Sequence, residues 1–309
     1  MSKDLRLAAL RRFAVAITVL NIAGHAFLGF EQSLAQVFAS LVTAYSLELL
    51  LETIDAGANQ RKPKFLGGPQ VLLDFLLPSH ITGLAVGMLL YANDAIFPIV
   101  FASTVAIGSK RILQAPAGNT KKHFFNPSNV GISVTLLLFP WVGIAPPYQF
   151  SENLGGIAHW ILPSIFIFTG TFLNARFTRR IPLILAWVGG FAVQALVRNL
   201  AFGTSWEGGL LPITGVAFLL FTFYMITDPG TTPTKPTSQM IFGGAVALTY
   251  SVLLLFHVAY GFFFALAIVC ALRGVGLYLL AARIWRTKPT TEILSAAETA
   301  SAVLREAES

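Results

Sequence analysis

Phe223-Tyr-Met-Ile-Thr-Asp-Pro-Gly-Thr-Thr-Pro-Thr-Lys-Pro236 lies directly after one long apolar run and shortly before another. An acid at the mouth of a membrane helix is costly to place, and the prolines and glycine that follow stop the helix from continuing. The nearest counterpart is His123-Phe-Phe-Asn-Pro-Ser-Asn129, which opens an apolar run with polar groups and a proline. Two readings of the pair stand side by side. The turns share one face of a membrane and frame a small-molecule site, or both are ordinary helix-ending loops.

The composition around them decides the class. The 309 residues are 55% hydrophobic and 11% charged, with a mean hydropathy of +0.70. A soluble domain carries roughly 25% charged residues, so water-soluble packing is excluded. Repeated apolar runs of about 20 residues match a hydrocarbon core of about 30 Å. The formal charge is +7, but the basic residues fall between the apolar runs, as orientation signals do, so no nucleic-acid partner is expected. The single cysteine, Cys270, forms no intrachain disulfide and is too few for an iron–sulfur or structural zinc site. No Ser–His–Asp set, metal-ligand cluster, Walker loop or Rossmann glycine pattern occurs at useful spacing.

The predicted fold is an all-α polytopic membrane protein with ten spans, at 12–30, 34–54, 70–91, 95–113, 127–144, 156–174, 181–202, 209–227, 240–256 and 258–283. The first is read as a retained helix rather than a cleaved signal. With the amino terminus (1–11) in the cytoplasm, all but Arg198 and Arg273 of the 21 basic residues lie on the inner side. That places both termini in the cytoplasm and the chain in the plasma membrane. Leu76-Leu-Pro-Ser-His-Ile-Thr-Gly83 is echoed by Leu210-Leu-Pro-Ile-Thr-Gly215 apart from two inserted residues. The echo predicts two inverted five-helix repeats, 12–144 and 156–283, with broken third and eighth helices. An external connection, 145–155, would join them. The tail, 284–309, reads as a surface helix or a disordered segment.

Thr227-Asp-Pro-Gly-Thr-Thr-Pro233, Ile241-Phe-Gly-Gly244 and Tyr260-Gly-Phe-Phe-Phe-Ala265, with Phe125-Asn-Pro127 and Thr82-Gly-Leu84, resemble the RnfD/NqrB family. These are membrane subunits of the Rnf and Na⁺-pumping NADH:quinone oxidoreductase complexes. The resemblance covers roughly residues 65 to 275, and within the family the chain looks most like the branch encoded in enediyne antibiotic gene clusters. It implies ten helices in two inverted halves, and redox or biosynthetic partner proteins. Electron-transfer members attach FMN covalently to a threonine of an external Ser-Gly-Ala-Thr motif. The corresponding segment here, Ala145-Pro-Pro-Tyr-Gln-Phe-Ser-Glu-Asn-Leu-Gly155, has no threonine. Covalent attachment is therefore not expected, at Thr231 and Thr232 included, and a non-covalent FMN or riboflavin is left as the cofactor.

The residue reading and the resemblance together give the binding candidates as His80, Thr82, Gly83, Lys122, Asn126, Pro127, Asn129, Thr214, Asp228, Thr231, Thr232 and Lys235. His80 follows Pro78 and is either a hydrogen-bond donor to a ligand or a satisfied core histidine. Asn126 to Asn129 open a helix whose free amides favour an anion. Lys110, Arg111, Lys121, Lys122 and Lys235 would form a basic rim suited to phosphate, unless they serve orientation alone. Glu48 and Glu52 lie one turn apart in the second span and are ion or proton candidates, or partners of Arg273 or another buried cation. Asp74 is the third acid of this kind, with Lys64 or Lys110 as its expected structural partner. Arg273 is expected to snorkel. No catalytic residue or metal is assigned. The chain is at most a non-autonomous redox subunit for flavin- or quinone-linked electron transfer. The alternative is a solute or natural-product transporter.

Overall fold

The computed structural model describes residues 3–117, 120–146 and 153–286. The predicted tail beyond 286 and residues 147–152 of the external connection lie outside the described residues. The described chain is helical: α1 (Lys3–Ala23), α2 (Leu34–Ala58), α3 (Pro69–Leu89), α4 (Phe97–Ile112), α5 (Pro127–Leu138), α6 (Ala158–Leu173) and α7 (Ile181–Phe202) come first. The short helices α8 (Trp206–Leu210) and α9 (Val216–Leu220) follow, then α10 (Pro236–Leu255) and α11 (Gly261–Arg286). Prolines in the first turn mark the starts of α3, α4, α5, α7 and α10, where a missing N–H costs nothing. Ser33 caps α2 by accepting from the Gln36 amide, and Asn126 caps α5 through Asn129. Gly203, at φ 65°, closes α7.

Six helices among the described residues are long and apolar enough to cross a bilayer: Leu7–Leu28, Leu34–Ala58, Pro69–Leu89, Ile181–Phe202, Pro236–Leu255 and Gly261–Arg283. A seventh is formed if Trp206–Ile213 and Ala217–Met225, bent by 62°, count as one. The other three predicted spans hold the shorter helices α4, α5 and α6, of 16, 12 and 16 residues. Large apolar side chains face outward on the long helices, among them Val15, Phe38, Leu73, Leu185, Leu248 and Leu272. Water would not tolerate so extensive an apolar shell, and hydrocarbon requires one. The environment of this protein is a lipid bilayer.

Small residues let the helices approach. Gly83 and Gly87 of α3 face α2, where an added Cβ would meet Ala44 at 3.3 Å and the Val37 Cα at 3.3 Å. A Cβ on Gly131 of α5 would sit 2.3 Å from the Ala102 carbonyl oxygen of α4, and one on Gly243 of α10 would sit 2.5 Å from that of Leu183 in α7. Such close backbone approach is how helices associate where no hydrophobic force separates them from lipid. Inside the second half, Trp187 is fully buried among Phe191, Phe218, Phe221, Tyr250 and Phe262. Its indole N–H donates to Thr222 Oγ1 at 2.9 Å.

Two short antiparallel ribbons tie off helix ends. β1 (Leu90–Tyr91) pairs with β4 (Gly143–Ile144) in the register Leu90↔Ile144, joining the ends of α3 and α5. β2 (Gln114–Ala117) pairs with β3 (Thr120–His123) in the register Gln114↔His123, between α4 and α5.

One expectation is corrected here. The third helix is not broken, because α3 runs continuously through Pro78. The Thr82 hydroxyl donates to the Pro78 carbonyl at 2.7 Å, and the turn beyond the proline is clamped against α2 by Ser40, which donates to the Gly83 carbonyl at 2.6 Å. Contacts from a hydroxyl of the same helix and from a neighbouring helix thus hold the turn after the proline in helical form. The echoed segment behaves differently. Leu211–Thr214 is a 3₁₀ turn and Gly215 is the extended N-cap of α9, so the chain bends where its counterpart stays helical.

Candidate functional site

The turn at 223–236 begins where α9 passes into a π-helical turn, Phe221–Met225. Asp228 then folds the backbone around its carboxylate: Oδ1 accepts from the Gly230 amide at 2.9 Å and Oδ2 from the Thr231 hydroxyl at 3.2 Å. Thr232 Oγ1 donates to the Asp228 carbonyl at 2.7 Å. This turn meets the 123–129 segment directly. Asn126 Nδ2 donates to the Met225 carbonyl at 3.2 Å, across 99 residues of chain. The open face of Gly230 looks onto His123, whose Nε2 would be 3.1 Å from an added Cβ.

The asparagines divide the work. Asn126 Oδ1 accepts from the Asn129 amide at 3.0 Å and from Ser128 Oγ at 2.9 Å, so its amide group is engaged on both sides. Asn129 Nδ2 donates to the Phe263 carbonyl at 3.0 Å, while its Oδ1 is buried without a partner. Pro127 is the first residue of α5 and is buried with them.

Two arginines, missed as site residues by the sequence reading, converge on the same turn. Arg180, at the N-cap of α7 and only 4% exposed, donates from Nε to Thr232 Oγ1 at 2.9 Å. Burial pulls its guanidinium down from the ordinary arginine value, with Asp228 opposing and Arg273 adding to the fall. Arg273 of α11 donates to the Thr231 carbonyl at 2.6 Å, so it reaches inward and does not snorkel. A charge inside an apolar run was a visible signal for Arg273. Arg180 had none, since its position next to a helix start fits orientation equally well.

Other candidates lie elsewhere. Lys122 is exposed on β3 and Lys235 is exposed at the N-cap of α10, and neither forms a salt bridge among the described residues. The backbone of Thr214 closes the 3₁₀ turn, and its side chain lies outside the described residues. Thr82 and Gly83 serve the α3 packing given above. His80 bridges three helices, with Nε2 2.7 Å from Thr18 Oγ1 and Nδ1 2.5 Å from Tyr45 Oη. It is a satisfied histidine within α1, α2 and α3.

The acids form a second polar locus. Glu48 Oε2 lies 2.9 Å from Lys110 Nζ and accepts from Ser79 Oγ at 2.6 Å. Glu52, fully buried, accepts from Arg61 at 2.6 Å, from Arg111 at 3.2 Å and from the Lys64 amide at 3.0 Å. Asp55 is paired with Arg61, and with Arg111 at 3.6 Å. The partner of Glu48 is therefore Lys110 and not Arg273. Asp74 binds Arg11 in a two-pronged pair, at 2.8 and 2.6 Å, in place of Lys64 or Lys110. Pairing partners of this kind were undecidable from spacing, because they come from helices joined only by the fold.

Among the described residues no group of three or more metal-ligating side chains is gathered. An apolar cavity of about 520 Å³ opens between α1 and α6, lined by Ala16, Val19, Phe166, Phe172 and Tyr224, with Arg12 at its edge. Of the residues of the two turns it includes Tyr224 alone. Compared with known proteins, the chain matches no family model and no curated protein.

Proposed function

We propose that this protein is a membrane subunit of RnfD/NqrB type, serving flavin- or quinone-linked electron transfer with redox or biosynthetic partner proteins. The observation that carries the reading is the junction of the two proline-marked turns through Asn126 and Met225. Those turns hold two of the five motifs on which the resemblance rests, Thr227–Pro233 and Phe125–Pro127. In this reading the chain makes ten crossings of the plasma membrane as two inverted five-helix halves, with both termini cytoplasmic. The enediyne branch of the family makes natural-product biosynthesis its setting.

The residues at the junction suit a non-covalent flavin. Asn129 Oδ1 is a buried acceptor without a partner, the complement of the imide N–H of an isoalloxazine ring. Asn129 would hold the ring through that atom, while Asn126, locked to Met225, Ser128 and the Asn129 amide, keeps the acceptor in place. A bound flavin supplies one- and two-electron chemistry, and the protein supplies position and electrostatic environment. Thr231 and Thr232 are buried with their hydroxyls engaged to Asp228, which favours a structural role for both over covalent attachment.

The test is the flavin content of protein purified in mild detergent. The expected result is yellow protein whose flavin is released on denaturation and leaves no fluorescent band on a denaturing gel. Asn129→Leu should lower occupancy. Flavin-free wild-type protein that moves solute in liposomes would replace this reading with the second one, a solute or natural-product transporter. The bend of 62° between Trp206–Ile213 and Ala217–Met225 favours that second reading, because interrupted helices line transport cavities.

A further inference from the structure

Arg180 is the most deeply enclosed cation in the described structure, and no salt bridge among the described residues matches its charge. Its one side-chain hydrogen bond goes from Nε to the neutral Thr232 hydroxyl. The two Nη atoms have no partner among the described residues, and neither belongs to the sealed, unpartnered atoms of the interior. Arg273 arrives from α11 and uses one Nη on the Thr231 carbonyl. Neither arginine forms a salt bridge among the described residues. Asp228 is the nearby acid, a single carboxylate that also accepts from Gly230 and Thr231. Two positive charges thus share one carboxylate.

A guanidinium cannot shed its proton to escape burial. An enclosed charge must be paired or remain strongly unfavourable. The Nη pair forms a planar fork suited to two oxygens of one tetrahedral anion. The positive end of the α7 dipole, at whose N-cap Arg180 sits, adds a field of the same sign. We propose that Arg180 and Arg273, held on consecutive carbonyl and hydroxyl groups of the Thr231–Thr232 turn, form a binding site for a phosphate-bearing anion. The ligand is either a soluble phosphate compound or an anionic phospholipid headgroup. The site uses neither Asn129 nor the exposed lysines, so a flavin-free protein would leave the assignment standing.

The experiment follows thermal melting of the full chain at constant ionic strength. One arm is in neutral detergent with sodium chloride, with and without inorganic phosphate. The other is in nanodiscs of phosphatidylcholine, with and without phosphatidylglycerol. Saturable stabilisation by inorganic phosphate supports the site with a soluble anion as its ligand. Stabilisation by phosphatidylglycerol alone supports it with a headgroup as its ligand. In either case Arg180→Gln and Arg273→Gln should each raise the concentration needed by roughly tenfold or more, as expected for a lost charge-assisted pair. The exposed Arg176→Gln should respond as wild type. Arg180→Lys keeps the charge without the fork and should fall between the two, which covers a failure of Arg180→Gln to fold. No stabilisation in either arm, or wild-type responses in Arg180→Gln or Arg273→Gln, overturns the proposal.

Discussion

Removing Lys110 gives a sharp test of how the acids of α2 are held. The Glu48 and Lys110 side chains are 12% and 13% exposed, with Oε2 and Nζ 2.9 Å apart. Breaking a buried pair from one side costs about 3–5 kcal/mol, because the surviving charge is left uncompensated. In Lys110→Met, Glu48 would keep Ser79 at 2.6 Å and Arg111 at 3.8 Å, so the cost falls near about 3 kcal/mol. In Glu48→Gln, Lys110 loses its counter-charge and is left with neutral acceptors, the amide oxygen and the long Ser79 contact at 3.4 Å, and the cost moves toward about 5 kcal/mol. The double variant Glu48→Gln/Lys110→Met removes both charges and should cost less than either single change, about 1–2 kcal/mol. Equilibrium unfolding in mixed detergent gives the three values. A double variant as unstable as the sum of the singles would refute a structural ion pair and return Glu48 to the ion-handling candidates.

Two further outcomes check the packing. Gly131→Ala should lose about 1–3 kcal/mol, since its Cβ would collide with the Ala102 backbone; Gly108→Ala on α4, with open space around it, should gain up to about 1 kcal/mol. Equal melting of the two variants would show that α4 and α5 are not in the described contact. Thr222→Val leaves the buried Trp187 indole N–H unpartnered and should cost about 1–3 kcal/mol, with a change in tryptophan emission as a second readout.

Two sets of polar groups in the described structure have different physics. On α2 to α4, acids and bases are nearly matched: Glu48, Glu52 and Asp55 face Lys110, Arg111 and Arg61. Such a set is closed, since each charge already has its partner. Around the two proline-marked turns the account stays open, with an unpartnered buried oxygen on Asn129 and guanidinium nitrogens of Arg180 that no salt bridge among the described residues engages. A ligand at the open set would lower the free energy without first breaking a protein contact.

Composition and local pattern alone determined the membrane class, the helical architecture, most helix starts and the helix-stopping prolines of the two turns. These are local or summed properties. Apolar run length measures itself against the bilayer, and a proline in a first turn acts on its own backbone. Tertiary structure decided the rest. It kept α3 helical through Pro78 while the near-identical Leu210–Gly215 segment bent, because α2 clamps Gly83 whereas Gly215 caps a new helix. It also assigned Arg11 to Asp74, Lys110 to Glu48 and Arg180 to Thr232. Coulombic and hydrogen-bond partners are chosen by distance in space, and spacing along the chain carries no record of which helices pack side by side.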